Sequence, residues 1–420
     1  MLSTNRIKAL FLIKYLMKFK ALLPRRAILC CFLIHFLVAL DALIIVPLSS
    51  TISLSLRDDA SQAGYLVSAY AIAAAVICLF TKGSLDPNRE IKRVYICVVG
   101  LAVTTWLTSV ASDFDLLIVY RMLSGLFGGA LAVLNLNYLT LISCDDDRKR
   151  NIAVLLSSFP LALSAGVPAL IMLSSMGEWQ LSFQVIAGLL LLIGAVVSLS
   201  PFIQLKEGSA ESEFTDSQKF KLGDYLCSRD LRFAIVLAFS VVLGTFLVST
   251  QFPVMLEVNL GISATLLGYC YAISGTCTFI AMQAFARIRG TDKAIFRLIV
   301  CLSLGMVISI VWGFGSLNVG SAAVAFVVFV VVSSTRTLVL SVELINALSV
   351  NKRMLLIRLQ SSLQHFAVGF GGLLSSALVQ PQSGASLDFN TLVYVAVGIV
   401  LCTPCLWVAY SRGLGLNDEK

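Results

Sequence analysis

Blocks of about 20 mostly apolar residues follow one another along nearly the whole of this 420-residue chain, with short polar breaks between them. At 1.5 Å per residue, a helix of that length crosses a hydrocarbon layer about 30 Å thick. Within lipid every backbone N–H and C=O must find its partner inside the protein, and a helix does this segment by segment. The blocks fall at roughly 27–53, 62–82, 94–111, 116–142, 152–174, 181–203, 231–256, 264–286, 295–315, 319–344, 355–379 and 389–410. They predict an all-α integral membrane protein with twelve transmembrane helices. Apolar residues are 58% of the chain and charged residues 13%, with a mean hydropathy of +0.92, which excludes soluble globular readings.

The positive charges support the even number. If the connections are assigned alternately to two sides, 28 of the 31 Lys and Arg residues share the side of the chain ends; Arg57 alone falls on the other side, and Arg121 and Arg336 lie inside spans. Retention of basic loops in the cytoplasm then predicts both termini there. The net charge of +8 is thus spent on orientation and implies no nucleic-acid partner.

Residues 1–26 form a basic, semi-amphipathic extension (Lys8, Lys14, Lys18, Lys20, Arg25 and Arg26), expected to lie on anionic lipid in the cytoplasm, with Met17 as an alternative start. Residues 204–230 form an acidic, Ser-rich cytoplasmic linker between two apolar halves, 27–203 and 231–411, of six spans each, and 412–420 is a short tail. Six plus six predicts two pseudo-symmetric bundles with a substrate site between them. The loops after the second span of each half echo one another, Gly83 to Arg93 and Arg289 to Arg297.

Four charges interrupt apolar runs: Asp41, Arg121, Arg336 and Glu343. A charge within a span is costly unless paired or wetted, and marks a functional position. Carboxyls withdrawn from water hold a proton to higher pH than exposed ones, the property a proton carrier needs; Asp41 is the favoured proton or substrate carrier. The bland reading of Asp41 is a permanently protonated carboxyl bonded to backbone. Arg121 lies one turn into its span, where the alternative is a side chain snorkelling to the outer surface. Arg336 and Glu343 share one helix face about 10 Å apart. His365 follows a polar stripe of Gln360, Ser361 and Gln364, and is either a titrating group or a hydrogen-bonded structural histidine. Tyr70, Asn135, Asn137, Tyr138, Gln251, Phe252, Tyr269 and Tyr271 are candidates for an apolar binding wall with polar handles. Gly125 and Gly129, one turn apart, admit a neighbouring helix. With two histidines and eleven scattered cysteines, neither a metal site nor a disulfide framework is expected.

Several strings resemble the major facilitator superfamily, in particular its twelve-helix drug:proton antiporter branch of bacterial exporters. Gly83-Ser-Leu-Asp-Pro-Asn-Arg-Glu-Ile-Lys-Arg93 is similar to that family's cytoplasmic loop motif, which implies a gating latch at Gly83, Asp86, Arg89 and Arg93. Arg121-Met-Leu-Ser-Gly125 with Gly129 resembles a pattern whose arginine is placed in proton coupling. Ala162-Leu-Ser-Ala-Gly166-Val-Pro168 looks like a worn antiporter motif, and implies a bend at Gly166 and Pro168. Gly177-Glu-Trp179 through Phe183 resembles a further signature of these exporters.

No phosphate loop, nucleophile–base pair, catalytic cluster or cofactor motif occurs, so neither enzymatic activity nor a cofactor is expected, and energy comes from an ion gradient or from the substrate's own. The expectation is a monomeric inner-membrane transporter with proton-coupled efflux of a small drug-, sugar- or siderophore-like compound by alternating access. The rival is proton symport or facilitated uptake of a polar or anionic metabolite, with Arg336 and Arg121 as anchors. A receptor or membrane enzyme lacks the extramembrane domain or catalytic cluster it needs.

Overall fold

In a computed structural model, residues 2–56, 59–199, 229–287, 292–347, 350–382 and 386–413 are described. Twelve long helices carry the chain: α1 (Leu2–Ser55), α2 (Ala63–Phe80), α3 (Pro87–Ser109), α4 (Phe114–Ile142), α5 (segments Asp145–Leu156, Ser158–Leu161, Ala162–Gly166 and Val167–Met176) and α6 (Gln180–Leu199). The second half supplies α7 (Arg229–Ser249, Phe252–Val254 and Met255–Asn259), α8 (Ala264–Arg287), α9 (Asp292–Gly315), α10 (Val319–Ala347), α11 (Val350–Leu378) and α12 (Asn390–Gly413). Eleven of them are long and apolar enough to cross a membrane; α11 falls short in apolarity, being broken by Gln, His, Ser and Gly. α1 starts at Leu2 and continues into the first span as one helix. The acidic linker to residue 228, the second loop echo at Arg289 to Thr291 and the tail from residue 414 lie outside the described residues.

Helix starts follow local chemistry. Asp86 caps α3, accepting from the Asn88 N–H at 2.9 Å, with Pro87 at the first helical position. Asp113 caps α4 through the Leu116 N–H at 2.8 Å. Pro168 cannot donate to the preceding turn, and a π-helical turn, Ala162–Gly166, sits directly upstream of it. A second π-helical turn, Met255–Asn259, ends α7 just after Pro253.

The packing repeats itself. Within the first half α2 and α3 pack on α4, α3 and α1 pack on α6; six helices later α8 and α9 pack on α10, and α9 and α7 on α12. Two further pairs, α2 with α11 and α5 with α8, join the halves and exchange under the same shift. The result is two pseudo-symmetric six-helix bundles. We call the face of the chain ends the terminal face and its opposite the far face. The α2–α11 seam is antiparallel and built from small residues. The Gly64 N–H donates to Ser376 Oγ at 2.9 Å, Ser68 Oγ to the Gly369 carbonyl at 2.7 Å, and Ser362 Oγ to the Ala75 carbonyl at 2.8 Å. A Cβ on Gly372 would meet Ser68 Oγ and the Gly64 carbonyl. Residues such as Ile96, Leu192, Ile280, Ile308 and Tyr394 face outward, as lipid contact requires. On the far face a two-stranded hairpin, β1 (Gln380–Pro381) with β2 (Leu387–Asp388), joins α11 to α12. Asn259 ties α7 to it through both bonds of its side-chain amide, to the Leu387 carbonyl at 2.8 Å and from the Leu387 N–H at 2.9 Å.

Candidate functional site

Two of the four charges singled out from sequence meet in the first bundle. Asp41 of α1 and Arg121 of α4 are both fully buried. Arg121 Nη1 lies 3.4 Å from each carboxylate oxygen of Asp41, and its Nη2 donates to the Asp41 backbone carbonyl at 3.3 Å. Thr105 Oγ1 of α3 donates to Asp41 Oδ1 at 3.0 Å. The guanidinium carbon stands 4.7 Å from the ring centre of Tyr70 on α2 and 6.0 Å from that of Phe183 on α6, within cation–π range. Arg121 therefore does not snorkel; it is held in the bundle by groups from three other helices, α1, α2 and α6. The two bonds to the carboxylate exceed the 2.7–2.9 Å usual for charge-assisted pairs, and Arg121 Nε has no partner.

The glycines of α4 make this geometry. A Cβ on Gly125 would meet the backbone carbonyl of Tyr70, one on Gly128 its hydroxyl, and one on Gly129 the Ala74 Cα at 2.7 Å. Without side chains at these positions α2 comes close enough to lay Tyr70 against Arg121.

Arg336 occupies the pseudo-symmetric helix at a different depth. It is the eighteenth residue of α10, whereas Arg121 is the eighth of α4, about 15 Å further along. It is fully buried, its Nε donates to Ser303 Oγ of α9 at 3.1 Å, Nη1 approaches Met306 Sδ at 3.8 Å, and Nη2 has no partner. Glu343 is half-buried two turns on. His365 is half-buried on α11, one turn from Ser361, whose hydroxyl lies 3.8 Å from Cys78 Sγ of α2.

The loop motif is centred on a residue the sequence did not flag. Glu90 is fully buried and its carboxylate accepts three bonds: from the Ser84 N–H at 3.1 Å, Asn137 Nδ2 at 2.7 Å and Arg93 Nη1 at 3.0 Å, the last also an ion pair. Arg93 also donates to the Lys82 carbonyl at 2.7 Å. Gly83 lies against the Asn137 amide, where a Cβ would sit 2.5 Å from Nδ2. Asp86 and Arg89 are exposed, Asp86 acting as the helix cap. Glu90→Ala is expected to cost about 3 kcal/mol, since Asn137 and the Ser84 N–H lose a buried acceptor while half-exposed Arg93 is partly resolvated. Thermal unfolding in detergent checks this, and an unchanged melting temperature contradicts it.

Of the wall candidates, Asn137 belongs to this cluster and Tyr70 to the ion pair. Asn135 Nδ2 donates to the Cys31 carbonyl at 2.8 Å, and Tyr138 is buried on the same face of α4. Phe252 sits among Phe314, Phe326 and Phe329 at ring separations of 4.8, 5.3 and 5.6 Å, with Tyr271 edge-on to Phe326. Gln251 bonds the Ser61 carbonyl at 3.3 Å across the two halves. Tyr269 is 55% exposed on the outer surface of α8 and is not part of an interior wall. Gly166 ends the π-helical turn of α5 and Pro168 follows it; within that turn Ser164 packs on Gly275 of α8, where a Cβ would stand 2.7 Å from Ser164 backbone. Thr105, Glu90, Glu257 and Ser303 escaped the sequence reading. Glu257 lies one residue past the span expected at 231–256, and the structure bonds it to Ser50 of the opposite half.

Two pseudo-symmetric helical bundles with buried charges between their helices define a membrane carrier. The Major Facilitator Superfamily profile matches residues 31–353, and the chain belongs to that superfamily. Solved structures agree on the fold. A bacterial homologue of the human lysosomal transporter Spinster, inward-facing and occupied, superposes with a TM-score of 0.69 at 13% identity, covering 92% of this chain and 97% of that one. The nucleoside transporter NupG gives 0.67 at 13%, covering 91% and 98%. A variant of the peptide transporter POT gives 0.68 at 12%, covering 92% and 95%.

Proposed function

We propose that this protein is a proton-coupled secondary transporter that exports a small organic compound by alternating access, in a cytoplasmic membrane with both termini inside. The observation that carries the reading is the buried Asp41–Arg121 pair with its Thr105 and Tyr70 neighbours. A buried ion pair contributes little net stability against apolar replacements, so its place in the bundle calls for a task. A proton taken up by the Asp41 carboxylate cancels one charge of the pair. Arg121 then keeps two holds that do not depend on that charge, the Asp41 carbonyl and the Tyr70 ring. The helices α1, α3 and α4 thus have two self-consistent arrangements that differ by one proton, which is what coupling needs. The irregular turn of α5 beside Pro168, packed on α8 of the other half, supplies a bend at the interface and supports the exporter reading.

A second reading has its own observation. Arg336 is buried with an unpartnered Nη2, and an anionic or polar substrate would supply the missing acceptor, as uptake of a metabolite would require. Glu343 and His365 border the same half of the protein and would tune that site.

The test is Asp41→Asn in proteoliposomes, with proton movement read by a trapped pH dye while drugs, sugars and organic anions are added in turn. Loss of proton movement, with any downhill substrate flux retained, is expected; unchanged proton-coupled transport would sink the assignment. Stimulation confined to organic anions, and abolished by Arg336→Gln, would decide for the second reading.

A further inference from the structure

One half-buried acid belongs to neither half's interior. Glu257 sits in the π-helical turn that ends α7, and its Oε2 accepts from Ser50 Oγ on α1, across the interface between the halves. Contact between α1 and α7 is concentrated at this end, where Phe252–Val254 meets α1 and Gln251 reaches the Ser61 carbonyl. The far face is therefore closed, and the Glu257–Ser50 bond is part of the closure.

The surroundings of Glu257 contain no compensating cation among the described residues. From α8 the titratable group is Tyr271, which is buried. From the hairpin it is Asp388, whose carboxylate caps α12 by accepting the Asn390 N–H at 2.8 Å. The part of α10 that packs here carries no charged residue, and α1 offers the Ser50 hydroxyl. Asp41 is nine residues from Ser50, about 13 Å along α1, and is already held by Arg121. Enclosing an ionised carboxylate with a hydroxyl alone is expensive, whereas a neutral carboxyl can still accept from Ser50 through its carbonyl oxygen.

We propose that Glu257 is a second proton-handling carboxyl, whose protonation from far-side water latches the far face through Ser50 and whose deprotonation releases it. The step balances: closure adds one proton to the carboxylate, and opening returns it to the same side. The closed state binds one more proton than the open state, so low pH favours closure. This rests on the reading of the chain as a proton-coupled carrier, but assigns the far-face event to a residue other than Asp41.

The experiment reads conformation rather than transport. Probes at positions 54 and 317, both exposed on the far face in opposite halves, are attached through non-cysteine chemistry because the chain has eleven cysteines. Their separation is measured by pulsed spin resonance in nanodiscs between about pH 5.5 and about pH 8.5, the span in which a carboxyl removed from water titrates. In the native protein the short-distance population is expected to fall as pH rises. Glu257→Gln, which keeps a carbonyl acceptor for Ser50, should remain closed throughout, and Ser50→Ala should shift the native transition towards lower pH. Asp41→Asn should lose proton-coupled transport yet keep the conformational response, which separates the two assignments. A native protein whose far face ignores pH, or a Glu257→Gln variant that retains the full response, overturns the proposal.

Discussion

Arg121→Leu is expected to destabilise the protein by about 3–5 kcal/mol, the largest loss foreseen for any single substitution in the first bundle. The cause is what it leaves behind. Asp41 is fully buried, and apart from Arg121 its carboxylate has the Thr105 hydroxyl as its bonding partner. Tyr70 would lose the cation beneath its ring at the same time. Adding Asp41→Asn to Arg121→Leu should restore much of the loss, because the stranded charge is gone. The double variant should be more stable than Arg121→Leu alone while remaining inactive in proton-coupled transport. Chemical unfolding of the four proteins in mixed micelles completes the cycle. Additive losses would mean that the two groups do not act as a pair.

The second large effect concerns a position with no side chain. Gly125→Val brings carbon atoms against the Tyr70 carbonyl, and backbone cannot rotate away as a side-chain tip can. The two helices must separate, at a cost of about 1–3 kcal/mol or more, and the Tyr70 ring leaves the guanidinium. Transport should therefore fall even where the protein still folds. Gly188→Val on α6 is the matched control, since a Cβ there meets nothing within 4 Å. Equal damage from both would show that β-branched bulk in a span, rather than the α2–α4 approach, is responsible. The measurements are melting temperature and initial transport rate at matched reconstitution levels.

Much of the architecture was legible because lipid imposes a simple grammar. Span length, the one-sided placement of bases and the halfway linker are each visible in a linear reading, and together they lead to twelve helices in two bundles. The site was legible in part. Asp41, Arg121 and Arg336 stand out because a charge in an apolar run is conspicuous, but a sequence does not say that α1 and α4 are neighbours, so the ion pair was invisible as a pair. Glu90 was hidden for the opposite reason. It lies between Arg89 and Lys92, where a charge is unremarkable, and only the fold of the loop onto Asn137 encloses it. Ser303 is one serine among many until Arg336 is seen to need a partner. Tyr269 was misplaced because an aromatic residue in a span serves a lipid surface as readily as an interior wall. The loop echo of the second half lies partly outside the described residues.

The polar seam of α11 has a consequence for how the protein is made. A segment carrying Gln360, Ser361, Ser362, Gln364 and His365 partitions into bilayer less readily than its eleven companions. The α2 groups that Ser376, Gly369 and Ser362 of α11 bond, at Gly64, Ser68 and Ala75, lie on a helix synthesised about 300 residues earlier. Insertion of α11 is therefore expected to be favoured where α2 is already in place to meet it.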